Sequence, residues 1–121
     1  MPLQLDTGKE SLAMFFKDWQ IESLRYLWSI HPEGANSRTV YQNVNKTLED
    51  SISRASVINY LNAMVDDAML NYTETTGKGG HQRVYTTAYT ETEFKRHIAE
   101  LVITKLLREY PQEAKKVLGQ L

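Results

Sequence analysis

The chain contains no cysteine. Disulfides, thiolate catalysis and cysteine-ligated zinc are therefore excluded. It also lacks a long apolar run: no stretch approaches the roughly 18 residues of a membrane helix. The start, Met1-Pro2-Leu3-Gln4-Leu5-Asp6, has neither the charged nor the apolar region of a secretory signal. A cytoplasmic protein with no membrane partner is the resulting expectation. Without export, Asn45-Lys46-Thr47 and Asn71-Tyr72-Thr73 match the glycosylation pattern only by chance. Histidine is scarce, and His31, His81 and His97 pair with neither one another nor a carboxylate at a metal-ligand spacing. No metal and no cofactor are expected. Serines are present, but no motif places a base beside one, so an enzyme is the least supported class. Internal repeats and low-complexity segments are absent. So is an excess of positive charge: the net charge is −1, which weakens any non-specific hold on nucleic acid.

What is present suits one folded domain. The hydrophobic fraction of 41% over 121 residues is enough for a core. Residues 1–17 read as an arm with a short helical turn, in which Leu12, Phe15 and Phe16 can dock on the body. From Asp18 the helical period is clear. Trp19, Ile21, Leu24, Leu27 and Trp28 share one face, with Glu22, Arg25 and Ser29 opposite. Asp18 is the expected cap, and His31-Pro32 ends the helix. After a turn at Glu33-Gly34-Ala35-Asn36, Asn36 or Ser37 caps a second helix through Leu48, with Val40, Tyr41, Val44 and Leu48 inward. Ser51 or Ser53 caps a third, running to about Ala68, with Val57, Tyr60, Leu61, Met64 and Val65 inward.

The stretch from Ser53 to Tyr85 is the most specific. The third helix leads directly into strand Leu70–Thr75, a glycine-rich tip Thr76-Gly77-Lys78-Gly79-Gly80-His81-Gln82, and strand Arg83–Ala88. Glycines 77, 79 and 80 are expected to supply the positive φ angles of the tip. Three helices followed by a basic hairpin predict a mainly α fold with a small β-wing, a winged helix-turn-helix over 18–89. In that architecture the third helix enters the major groove of DNA and the hairpin reaches the neighbouring backbone. The outer face of the third helix carries Ser53, Arg54, Ala55, Ser56, Ile58, Asn59 and Asn62. Arg suits guanine, Asn suits adenine, and Ala55 and Ile58 suit thymine methyls. An ordinary solvated face is the plainer reading. It loses ground because helix, turn and wing come in order and Ile58 is awkward in water. Ser37, Arg38, Thr39 and Gln42 open the second helix, which crosses the DNA backbone. Lys78, His81 and Arg83 surround the wing tip and suit phosphate contact, though each could equally be an incidental surface charge.

Residues 90–121 form a helical segment. Thr90-Glu91-Thr92-Glu93 is a helix start, a hydroxyl cap with acids in the first turn. The apolar positions Phe94, Ile98, Leu101, Val102, Ile103, Leu106, Leu107 and Tyr110 are too broadly spread to face one small domain. Pro111 breaks the helix, and a short last helix carries Ala114, Val117, Leu118 and Leu121. The excess width points to a dimer core built from Phe94, Ile98, Leu101, Val102, Leu106, Tyr110, Val117 and Leu118. A two-fold dimer would read a pseudo-palindromic operator in double-stranded DNA, with half-sites one or two helical turns apart.

The block from Ser53 to Leu70, Ser53-Arg54-Ala55-Ser56-Val57-Ile58-Asn59-Tyr60-Leu61-Asn62-Ala63-Met64-Val65-Asp66-Asp67-Ala68-Met69-Leu70, resembles the recognition helix shared by the MarR and penicillinase-repressor families. Asp18-Trp19 before a helix ending near Trp28, the compact size, and the helical tail after the wing resemble the second family more closely. The resemblance implies a homodimeric transcriptional repressor with its C-terminal helices at the dimer interface. Two departures stand out. Ala68 replaces the usual glycine, and there is no Asn-Phe dipeptide, the bond at which protease-controlled members are cleaved. Two other readings accompany this one: a winged-helix module that binds protein rather than DNA, and a MarR-like regulator answering to a small molecule that the sequence does not identify.

Overall fold

The computed structural model describes residues 3–47, 51–77 and 80–121. A 3-10 turn at Ser11–Met14 precedes α1 (Asp18–Ile30), α2 (Ser37–Thr47), α3 (Arg54–Asp66), strands β1 (Leu70–Gly77) and β2 (Gly80–Thr87), α4 (Glu91–Glu109) and α5 (Pro111–Gln120). The fold is mainly α with a small β-wing, as the periodicity predicts. Two compact units divide at Thr90, Met1–Thr90 and Glu91–Leu121. No helix among the described residues is long and apolar enough to cross a membrane.

The core of the first unit is made by the inward stripes. Ile21, Leu24 and Leu27 of α1, Val40 and Val44 of α2, and Val57, Tyr60, Leu61 and Met64 of α3 are all buried. Leu48 lies outside the described residues. The 3-10 turn docks as its apolar residues suggest: Leu12 and Phe16 are buried, and Phe15 is half-buried. Phe16 and Trp19 meet the Tyr60 ring edge to face, at centroid distances of 6.5 and 5.2 Å, a favoured aromatic geometry. The Tyr60 hydroxyl donates to the Gln20 carbonyl, and burial pushes its pKa far above the usual tyrosine value.

Helix ends follow local chemistry. Asp18 is the first helical residue of α1 rather than its cap. Lys17 takes the cap position, and the Gln20 side chain reaches back to accept from the Lys17 N–H at 2.9 Å. Asn36, not Ser37, caps α2, its Oδ1 accepting from the Thr39 N–H at 2.9 Å. Ser53 caps α3, its Oγ accepting from the Ser56 N–H at 3.1 Å. The far end of α3 closes with paired bonds from Ala68 N–H to the Val65 carbonyl and from Met69 N–H to the Met64 carbonyl. This six-residue closure normally places glycine at the position held here by Ala68, whose φ is +60°.

The wing is longer than alternation suggests. β1 and β2 are antiparallel from Leu70 opposite Thr87 up to Gly77 opposite Gly80. Lys78 and Gly79 lie outside the described residues. Gly80 has φ +89°, whereas Gly77 does not adopt a positive φ, contrary to expectation. A second, shorter pairing was not legible in the sequence. Ala35, expected in a plain turn, exchanges both backbone hydrogen bonds with Tyr85 at 3.0 and 2.8 Å. Gly34 permits this approach. At φ +74°, a Cβ there would stand 2.5 Å from the Tyr85 carbonyl oxygen.

Candidate nucleic-acid interface

The two sides of α3 are chemically distinct. Val57, Tyr60, Leu61 and Met64 are buried, while Arg54, Ala55, Ser56 and Asn59 are exposed. Four exposed residues in the first two turns span about 7.5 Å of helix axis. Asp66 and Asp67 stand at the opposite end of α3, roughly 18 Å along the axis from Arg54. The negative charge of this element is thus kept away from its candidate reading face.

Other predicted contacts fall into three groups. Arg38 and Gln42 on α2 and His81 on β2 are exposed, and so is Lys46 in the last turn of α2, which was not among the contacts expected from the sequence. Ser37, Thr39 and Ile58 are half-buried, and Ser53 Oγ is engaged with Ser56 by its capping bond and by an Oγ–Oγ contact of 2.8 Å. Lys78 falls outside the described residues. Asn62 and Arg83 are placed differently from expectation. Both are half-buried, and they face each other across the gap between α3 and the wing. Asn62 Oδ1 accepts from the Tyr85 hydroxyl at 2.6 Å and from Arg83 Nη1 at 3.2 Å. The Arg83 guanidinium lies over the Tyr72 ring, 4.1 Å from its centroid. Burial pushes the Tyr85 hydroxyl pKa up, with the Arg83 charge and hydrogen bond pulling it back. The phenol is therefore a neutral donor at ordinary pH.

Asparagine side chains set the surrounding geometry. Asn36 Nδ2 donates to Gln82 Oε1 at 3.0 Å, linking the start of α2 to β2. Asn45 accepts from the Ile52 N–H at 2.8 Å and donates to the carbonyls of Tyr41 and Ile52 at 3.1 and 3.3 Å. It thereby fixes the approach to α3. None of these pairs has a periodic signal; the only hint is asparagine's tendency to bond backbone near turns.

In the second unit the apolar residues form two groups. Phe94 and Ile98, expected at the dimer core, are buried in the single chain. The two groups are separated by rotation: Ile103, Leu106, Leu107 and Tyr110 lie roughly 150° around α4 from Phe94 and Ile98. Those four recur at i, i+3, i+4 and i+7. Ala114, Val117, Leu118 and Leu121 repeat the same spacing across the Pro111 break. Ile103, Leu106, Tyr110 (59%), Val117 (55%), Leu118 and Leu121 (94%) are exposed, as is Leu101, while Val102 is half-buried.

No protein-family model and no curated protein matches the chain. Its fold is nevertheless similar to solved structures. A candidate transcriptional regulator from Methanosarcina mazei Go1 matches at 11% identity with a TM-score of 0.61, over 84% of this chain and 78% of that one. A candidate transcriptional regulator from Thermoplasma acidophilum matches at 13% identity and TM-score 0.55, over 85% and 90%. A PadR-like transcription factor from Bacteroides fragilis matches at 14% and 0.50, over 78% and 90%. At these identities the likeness is one of fold. It supports a winged helix in general and not the penicillinase-repressor family in particular.

Proposed function

We propose that the chain is a homodimeric, sequence-specific DNA-binding transcriptional regulator that represses by occupying its promoter. The observation that carries this is the uncovered polar face of α3, with Arg54, Ala55, Ser56 and Asn59 exposed beside the wing. Arg54 and Asn59 are the base readers, and Arg38, Gln42 and Lys46 of α2 face the phosphates. The kinship in fold with a PadR-like transcription factor supports the same reading. It does not depend on membership of the penicillinase-repressor family. The second copy meets the first through the exposed stripes of α4 and α5.

The test is fluorescence anisotropy with DNA selected from a random pool and with the DNA upstream of the protein's own gene. Salt-sensitive binding is expected. Each specific base contact contributes about 1–3 kcal/mol, so Arg54→Ala with Asn59→Ala should weaken binding at least about 30-fold. Both residues are exposed, so the melting temperature should hold. Unchanged affinity in that double variant, or no binding at micromolar protein in low salt, sinks the assignment.

One observation favours a second reading. From Met1 to Thr90 the chain carries eight Lys and Arg against ten Asp and Glu, a poor electrostatic footprint for DNA. A winged-helix module that docks on protein fits that balance. Failure to bind heparin at low salt, with a protein partner co-purifying, selects it.

A further inference from the structure

We propose that Asn62, Tyr85, Arg83 and Tyr72 form a clasp that fixes the wing against the recognition helix, making Asn62 and Arg83 positioning residues rather than base or phosphate contacts. The DNA-facing part of this rests on the proposed function; the clasp itself does not.

The chemistry of the Asn62 amide defines its orientation. Both groups that meet it, a phenol O–H and a guanidinium N–H, are donors. The atom between them must be the oxygen, and its two acceptor sites are both used. The side chain of Asn62 thus ends on the wing, although its position on α3 is the same outer face that holds Ala55 and Asn59. Tyr85 is well suited to anchor it. It is buried, held on its backbone by Ala35, and paired in register with Tyr72. Arg83 is two residues from Tyr85 on the same strand and so projects from the same face. Its guanidinium is held between the Asn62 oxygen and the Tyr72 ring. A cation over an aromatic face adds attraction that does not depend on an acidic partner.

The residue before Arg83, Gln82, projects from the other face and meets Asn36 at the start of α2. Successive residues of β2 therefore tie the wing to two different helices. A two-stranded hairpin is marginally stable alone. Here Gln82 and Arg83 give its middle two side-chain attachments to the helices, above the backbone pairing at Tyr85. α3 and the wing are presented to DNA as one rigid pair.

Amide hydrogen exchange on the free full-length chain tests the clasp without DNA. Tyr85→Phe removes one hydroxyl and keeps the buried ring, so the fold survives. Wing amides from Tyr72 to Gly77 and from Gly80 to Val84 should exchange about tenfold faster, with α1 amides unchanged. Asn62→Ala should do the same, and the double variant should add little to either, because one shared network is lost. Wing exchange at the wild-type rate in both variants, or fully additive acceleration, overturns the clasp. A second arm uses the salt dependence of DNA binding. Arg83→Gln should weaken binding while leaving the slope of log affinity against log salt as in wild type. A slope reduced by about 1 makes Arg83 a phosphate contact and overturns its positioning role. A wild-type chain that binds no DNA removes the regulator reading and leaves exchange to decide the clasp.

Discussion

Ala68 holds a backbone conformation that glycine adopts freely and alanine does not. Its φ of +60° is required by the paired hydrogen bonds that close α3 onto Met64 and Val65. A left-handed residue other than glycine costs about 1–2 kcal/mol, and glycine returns about 0.4–1 kcal/mol of that through a freer unfolded chain. Ala68 is exposed, so a glycine there forfeits little burial. Ala68→Gly should therefore raise unfolding stability by about 0.5–1 kcal/mol, read as a higher urea midpoint at unchanged slope. Ala68→Val should shift the midpoint the other way. This position was legible in the sequence, because a glycine is usual there in the resembled families. Asn62 and Arg83 were not. Their roles depend on partners 21 and 23 residues apart in the chain, and helical spacing reports only which face a residue is on.

Periodicity served the helices better than the joints between them. The inward stripes of α1, α2 and α3 appear where the 3.6-residue pattern places them, because burial is what the pattern records. Joints are made by single polar side chains, and those carry no period. Asn45 is the clearest case. It lies on α2 and read from sequence only as a chance glycosylation match, yet its amide holds both backbone groups of Ile52 ahead of α3. Asn45→Ala leaves the Ile52 N–H and carbonyl without that partner in a half-buried place. The cost should be about 1–3 kcal/mol in equilibrium unfolding. α3 should also start less firmly, so under the proposed function DNA affinity should fall while its salt slope is kept. The wing shows the same limit from the other side. Alternation marked strands ending at Thr75 and beginning at Arg83, while pairing continues to Gly77 and Gly80. Exposed threonine, glutamine and histidine near the tip have no apolar alternation to reveal it.

Taken as a molecule, the chain has more apolar surface on α4 and α5 than one copy covers. Two stripes of identical spacing, Ile103-Leu106-Leu107-Tyr110 and Ala114-Val117-Leu118-Leu121, leave most of their side chains open. Full burial of such a side chain is worth about 1.5–3 kcal/mol. With seven partly exposed residues from each of two copies, the gain is roughly 10–20 kcal/mol, against roughly 4–15 kcal/mol for lost freedom on association. A second copy is the partner proposed for this surface, and a two-fold pair would set two α3 helices against two half-sites. Leu106→Glu with Val117→Glu places one carboxylate in each stripe. Glutamate forms helices readily, and both positions are exposed in the single chain, so far-UV circular dichroism should be unchanged. In a pair, four carboxylates would lose water without a partner, which is costly. Light scattering should then report the monomer mass for this variant and twice that mass for the wild type. Operator binding should weaken and become less steep in protein concentration, while binding to a single half-site stays the same. A variant that keeps twice the monomer mass would show that the pair is built from some other surface than these two stripes.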